Sequence, residues 1–247
     1  MRPPREHRLR ERAVIYTAIF GDYDALNQPA PQEQPCDFIC FTDMKLPPRA
    51  GAWRVVAVRR DPRLHPRLQA KRFKLASHEI FPRGRLAWRY APLSHRPRFD
   101  LSVWVDGSVQ ITSPRFVGDM RDRLGAGDWA MFAHPERDCI YDEAQVSVGL
   151  RKYRDLPILS QVASYRTTVP PHGGLNASGI IVRREPAPSR LVAVHAAWWA
   201  ENVTWTYQDQ LSLPYALRRL GGPAPTPIAD CLWNNPWFVI QPHTDDA

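Results

Sequence analysis

With 247 residues and 44% hydrophobic content, the chain is long enough to bury one large core, and no linker or internal repeat divides it. Its formal charge of +8, from 33 basic and 25 acidic residues, favours anionic partners: nucleotide phosphates, nucleic acid or an anionic membrane face. The basic residues are scattered, without the regular basic–aromatic interleaving of a nucleic-acid groove, so that class of partner is disfavoured.

Residues 1–12 read as a basic surface lead. Ala13–Phe20 is almost wholly apolar, as in a parallel strand buried on both faces, and Gly21-Asp22-Tyr23-Asp24 breaks it. A second strand runs from Asp37 to Thr42 and stops at Asp43, and a third covers Trp53–Val58. The periodicity of Leu68–Phe81 predicts a helix, ended by Pro82-Arg83-Gly84. Leu101–Val105 is a central strand, and Pro114–Leu124 a helix with Pro at its start and Gly125 after its end. A short strand at Trp129–His134 precedes helices at Asp142–Tyr153 and Ile158–Tyr165. The apolar strand Gly179–Val182 lies within 177–183, followed by helices at Leu191–Glu201 and Tyr207–Leu220, the last closed by Gly221-Gly222. Alternating helices and near-continuous apolar strands mean an α/β fold: a Rossmann-like, mostly parallel sheet with helices on both faces.

The sharpest functional signal is Val103-Trp104-Val105-Asp106-Gly107-Ser108, which puts a carboxylate at the carboxyl end of a buried strand. Open α/β sheets place ligands there. Asp22 and Asp24 after the first strand, Asp43 after the second and Asp209 at a helix start extend the pattern, and point to a ligand bearing phosphates or hydroxyls. The plain alternative for Asp106-Gly107 is a turn. Gly21 stands without the Gly-x-Gly-x-x-Gly pattern, and there is no Walker lysine motif, which disfavours a nicotinamide enzyme or P-loop ATPase. Cys36, Cys40, Cys139 and Cys231 show no zinc spacing with histidine. No apolar run spans a bilayer, and Met1-Arg2-Pro3-Pro4-Arg5 lacks the apolar stretch of a signal peptide. The expected location is cytoplasmic, with the inner membrane face as a peripheral contact.

Several short segments carry a family resemblance in their order along the chain. They are Tyr16–Asp24, Cys40-Phe41-Thr42-Asp43, Lys71-Arg72-Phe73-Lys74, Val103–Ser108, Ala133-His134-Pro135, Tyr141-Asp142-Glu143-Ala144, Trp198-Trp199-Ala200-Glu201 and Asp209-Gln210-Leu211-Ser212. In these the chain resembles the glycosyltransferase-like family formerly called domain of unknown function 616, of GT-A architecture. It is remotely similar to the glycogenin-like retaining transferases. The resemblance implies one GT-A-like domain over residues 13–240, with a surface insertion at 83–99 and a tail at 241–247. It implies transfer of a sugar from a nucleotide-diphosphate donor to a glycan, lipid-linked glycan (glycolipid) or protein acceptor.

The resemblance also distributes roles. Asp22, Tyr23 and Asp43 fall where related enzymes take base and ribose. Lys71 and Lys74, three apart on one helix face, fall near the diphosphate. Asp106 holds Mn²⁺ or Mg²⁺ or the ribose, but Ser108 replaces the second carboxylate of the usual Asp-x-Asp pair. His243 is the C-terminal metal ligand. Asp209, Gln210 and Asn176 are the catalytic group, the Asp-Gln pair leaning toward retention of anomeric configuration. His134 and Glu143 are further pocket candidates. The rival readings are a catalytically silent glycan-binding domain of the same fold, motivated by Ser108, and a basic nucleic-acid-binding module.

Overall fold

The computed structural model describes residues 12–81 and 99–243. The basic lead therefore lies outside the described residues except for Arg12, the expected insertion at 83–99 except for Phe99, and the tail beyond His243. Eight strands form one sheet: β1 (Ala13–Ile19), β2 (Cys36–Thr42), β3 (Arg49–Ala50), β4 (Trp53–Ala57), β5 (Leu101–Val105), β7 (Trp129–Ala133), β8 (Asn176–Arg184) and β9 (Thr226–Ile228). Their order across the sheet is β3-β4-β2-β1-β5-β8-β7-β9. A separate two-stranded antiparallel pair joins β6 (Val109–Ile111) to β10 (Phe238–Ile240) from the far end of the chain.

Strands β4, β2, β1 and β5 run parallel. Strand β8 is antiparallel to β5, and β7 is antiparallel to β8, so β7 and its parallel neighbour β9 recover the direction of β5. Only β3 and β8 are reversed among these eight strands, as expected of a mostly parallel sheet.

Strand β1 shows why its sequence is apolar throughout. Ala13, Ile15 and Ile19 join a core with α2 (Phe116–Leu124). Val14, Tyr16, Ala18 and Phe20 join a second core with α1 (Pro66–Leu75), α5 (Ser189–Thr204) and α6 (Asp209–Leu220). Helices thus cover both faces of one mixed α/β domain. A third cluster packs α3 (Ile140–Val148) and α4 (Ile158–Ser164) against α6.

Helix boundaries differ from expectation for local reasons. Helix α1 begins earlier, because Pro66 suits a first helical position and His65 Nδ1 accepts from the Arg67 N–H. It ends at Leu75, before a 3-10 turn at Ser77–Glu79. Its last carbonyls are claimed from outside: Arg183 Nη2 donates to Lys74 O at 2.7 Å, and His195 Nδ1 lies 2.9 Å from Leu75 O. Helix α3 stops at Gly149, and Arg151–Tyr153 forms a separate 3-10 turn. Gly221 closes α6 at φ 56°, the left-handed cap expected there.

Immediately after β8, Glu185 is buried and accepts from Ser102 Oγ at 2.7 Å. Burial pushes its carboxyl up to about 7, against the opposing pull of Ser102 and Arg183. A raised acid pKa favours the folded state fully below the unfolded value near 4.5, and that advantage is lost as pH rises toward 7. Glu185→Gln keeps an acceptor and a donor in place without the charge. Its urea midpoint is expected to exceed that of the parent at pH 8 and to converge with it near pH 4. The difference is on the order of 3 kcal/mol, and an unchanged midpoint at pH 8 would remove this role.

Candidate active site

Topology gathers the site. The carboxyl ends of β1, β2 and β5 reach one sheet edge, and the start of β8 and end of β7 arrive at that same edge. Gly21, Asp43, Asp106, His134 and Asn176–Gly179 are therefore neighbours at one rim. Strand β1, between β2 and β5, is where the strand order reverses, the usual place for a crevice in an open α/β sheet. The backbones are tight there. Asn27 Nδ2 donates to Gly107 O at 3.0 Å, and a Cβ on Gly107 would stand 2.6 Å from Asp24 Oδ2. That close approach requires glycine after Asp106.

At the floor lies a charge-balanced cluster. Lys74 is wholly buried, and its ammonium donates to Asp106 Oδ1 (3.1 Å), Ser178 Oγ (3.0 Å) and Asp209 Oδ2 (2.8 Å). Three partners use its three protons. Lys71, one helical turn earlier, pairs with Asp209 Oδ1 at 3.1 Å. Trp104 Nε1 donates to Asp106 Oδ1 at 2.7 Å, two residues along the same face of β5. Ser178 donates to Asp209 Oδ2 at 3.0 Å, and Trp198 Nε1 fixes the Asp209 carbonyl at 2.7 Å.

Ser178 reaches this cluster through an irregular strand. Between Met131 and Phe132 the β7–β8 register jumps from Ile181 to Ala177, so residues 178–180 bulge from that ladder. Bulges beside functional sites re-aim side chains. Pairing on the β5 side is kept through the bulge, where the Asp106 N–H bonds to Gly179 O at 2.9 Å.

The electrostatics follow from the geometry. Burial alone raises the Asp209 carboxyl, but the ammoniums of Lys71 and Lys74 outweigh it and hold Asp209 well below the usual carboxylate range. Burial also works against the Lys71 ammonium, and Asp209 and Asp106 reverse it, so its pKa is raised. For the fully enclosed Lys74, burial prevails over Asp106 and Asp209 and the pKa is lowered. Two carboxylates and two ammoniums make a neutral set. Beneath it, the buried Arg183 also donates to Tyr16 Oη at 2.9 Å and so anchors the end of α1 that carries Lys74.

A cleft of ≈ 280 Å³ opens over this floor, lined among others by Lys71, Asp106, Ser108, Asp209, Gln210 and His243. Its far wall is a second polar network. Buried Glu143 accepts from Arg137 Nε (2.6 Å), Ser147 Oγ (3.3 Å) and Gln208 Nε2 (3.0 Å). His134 Nδ1 accepts from the backbone N–H groups of Glu136 and Arg137, which puts the imidazole proton on Nε2, 3.6 Å from Glu143. Gln208 Oε1 has no hydrogen-bond partner among the described residues. A larger neighbouring cleft of ≈ 780 Å³ shares Lys152 with the first and is lined by Gly21, Tyr23, Arg67, Arg151 and Tyr207.

The structure brings Asp106, Asp209, Gln210, Lys71 and His243 to one cleft and places Lys74 beneath it. Lys74, expected to reach a phosphate, is instead saturated by side chains, because burial leaves it no solvent-facing proton. Tyr23 faces the neighbouring cleft. The Arg67 guanidinium lies 3.6 Å from its ring centre, and the His243 ring packs at 4.5 Å. Asp22 and Asp43 line neither cleft. Asp43 Oδ1 accepts from the Gly21 N–H at 2.9 Å, holding a turn in which Gly21 and Asp22 are both left-handed. Asn176 accepts at its carbonyl from Gln210 Nε2, 3.3 Å away.

His243 Nδ1 lies 2.6 Å from Asp24 Oδ1. Among the described residues no three ligating side chains converge around Asp106. Asp106 Oδ1 is taken, which leaves Oδ2. That donor set does not suit an ion held by protein alone, but suits Mn²⁺ or Mg²⁺ held mainly by substrate phosphates and water. The one ligand set that does converge among the described residues is Cys139, Asp142 and His172.

Sequence reasoning missed Ser178, Trp104, Arg137, Arg183 and Gln208. Arg183 carried a signal, a charge directly after the apolar run Gly179–Val182. Pro214 was another, since a proline inside α6 removes the N–H that would bond to the Gln210 carbonyl.

No helix among the described residues is long and apolar enough to cross a membrane. No curated protein matches the chain. A family model does match, described as TOD1/MUCI70, glycosyltransferase-like domain, over residues 42–234. That span covers Asp43, both lysines, Asp106, the bulged strand and Asp209-Gln210, and the chain belongs to this glycosyltransferase-like family.

Proposed function

We propose that the protein is a nucleotide-sugar-dependent glycosyltransferase acting on a glycan, glycolipid or protein acceptor. The observation that carries this reading is the Asp106–Lys74–Asp209–Lys71 cluster at the floor of the switch-point cleft. Such a floor is rigid and prepaid in charge, so it holds a polar ligand without reorganising.

In this reading the donor's diphosphate lies against Lys71, Arg137 and Lys152, which line the cleft and offset the charge that builds as the sugar departs. Mn²⁺ or Mg²⁺ at Asp106, when bound, adds further charge compensation on the diphosphate. Asp106 otherwise accepts from ribose hydroxyls. Tyr23, on the neighbouring cleft, stacks on the base, with Asp22 and Asp43 shaping the turn that carries it. Asp209 stays ionised and orients the sugar, and Gln210, steered by Gln208 and Asn176, hydrogen-bonds beside the anomeric carbon. Lys74 acts as a positioning residue for both carboxylates. The paired Asp209 and Gln210 favour retention.

A thermal-shift screen of nucleotide sugars, with and without Mn²⁺, tests this. A donor at 100 times its Kd adds about 2.7 kcal/mol, a rise in Tm of roughly 5–10 °C for a chain of this size. Turnover of that donor should follow. Absence of any shift across the common nucleotide sugars would reject the reading. One observation favours a second reading: both Asp209 oxygens are engaged and Ser108 stands where a carboxylate is usual. Glycan binding without turnover of any donor would identify a silent glycan-binding domain.

A further inference from the structure

The loop before β8 folds back over the start of α3. The Gly174 N–H donates to Asp138 O at 2.9 Å, and Tyr141 Oη donates to Val169 O at 2.5 Å. This brings one ligand atom each from Cys139, Asp142 and His172 within 4.8 Å of one another. We propose that these three side chains form a zinc site, with Asp138 orienting His172.

The chemistry of the donor set selects the ion. One sulfur, one imidazole nitrogen and one carboxylate oxygen suit Zn²⁺, whereas Mg²⁺ and Mn²⁺ prefer oxygen ligands. The spacing is within reach of closure. Ligand atoms around a tetrahedral zinc stand roughly 3.3–3.8 Å apart, so the set contracts by about 1 Å. Cys139 and Asp142 are three apart at the first turn of α3, on neighbouring positions of one face. Cys139 is buried while Asp142 and His172 are exposed, so the thiol forms the base of a site open to solvent.

A carboxylate already orients the histidine. His172 Nδ1 lies 2.7 Å from Asp138 Oδ1. A carboxylate there holds the proton on Nδ1 and presents the Nε2 lone pair, the usual arrangement for a zinc-bound imidazole. The backbone at His172 is left-handed, φ 54°, a conformation that turns the loop toward the helix. Binding releases the Cys139 thiol proton, and water completes the fourth position. The site ties the loop entering β8, which carries Ser178, to the helix that carries Glu143.

The test uses the full chain, stripped of metal and titrated with zinc against a chromophoric chelator. One zinc per chain is expected. Asp138→Asn should weaken binding by roughly 10–100-fold, as loss of an outer-shell partner does. Cys139→Ser and His172→Asn should each weaken it further. Asparagine tolerates the left-handed backbone, so the histidine variant stays folded even if the buried cysteine variant does not. Co²⁺ in place of zinc should show a thiolate charge-transfer band in the parent that His172→Asn weakens. Zinc binding by the parent no tighter than by His172→Asn, or a Co²⁺ spectrum without a thiolate band, would overturn the site.

Discussion

Asp106→Asn is expected to keep the fold and to lose donor turnover by two or more powers of ten. The amide oxygen can still accept from Lys74 Nζ and Trp104 Nε1, so both hydrogen bonds on Oδ1 survive. What disappears is the negative charge that Asp106 offers to a cation or a ribose hydroxyl at the cleft. Ser108 supplies no replacement carboxylate. Each power of ten in rate corresponds to about 1.4 kcal/mol of barrier, a typical scale for loss of one preorganised electrostatic group. The measurement is donor turnover at saturating Mn²⁺ for parent and variant, with circular dichroism to show that both are folded. Equal rates would reduce Asp106 to an Asx-Gly turn residue, for which asparagine is a good substitute.

Lys74→Met should instead strike the fold. Its ammonium is the shared partner of two carboxylates and a serine, wholly out of contact with water. Removing one member of a buried ionic set costs about 3–5 kcal/mol, because the charges left behind keep their desolvation penalty without the compensating attraction. For a chain of this size that lowers Tm by roughly 6–20 °C. Lys71 still holds Asp209 at 3.1 Å, so Asp209→Asn in the same chain should restore part of the loss. Calorimetry on the single and double variants decides this. A Tm within 2–4 °C of the parent, the effect of about 1 kcal/mol, would mean that Lys74 is not the keystone of the cluster.

The Asp209 pairing also sets an acid limit. Its folded-state pKa is depressed, so the stabilisation is present above the unfolded carboxylate value and is lost as pH falls through and below the usual carboxylate range. The Lys71–Asp209–Lys74 pairing should therefore persist through mildly acidic conditions, which urea midpoints measured from pH 7 down to pH 4 would check.

By itself the sequence determined the elements whose signals are local. Strand β1 is legible because both faces are buried and nearly every residue must be apolar. Asp106 and Asp209 are legible because an apolar strand ending in Asp-Gly, and an Asp at a helix start, are short-range patterns. Lys71 and Lys74 share a face by helical spacing alone. The tertiary structure decided everything that depends on long-range pairing. Strands β3, β6, β9 and β10 are two or three residues long, too short for any periodicity, and exist because partners from elsewhere complete their hydrogen bonds. Ser178 meets Lys74 across 104 positions, and His243 meets Asp24 across 219. Cys139 and His172 have no zinc spacing along the chain, yet the loop before β8 brings their ligand atoms together. Local patterns record what each segment must bury. Which charge meets which is set by sheet order and by one bulge, and neither is written in any window of neighbouring residues.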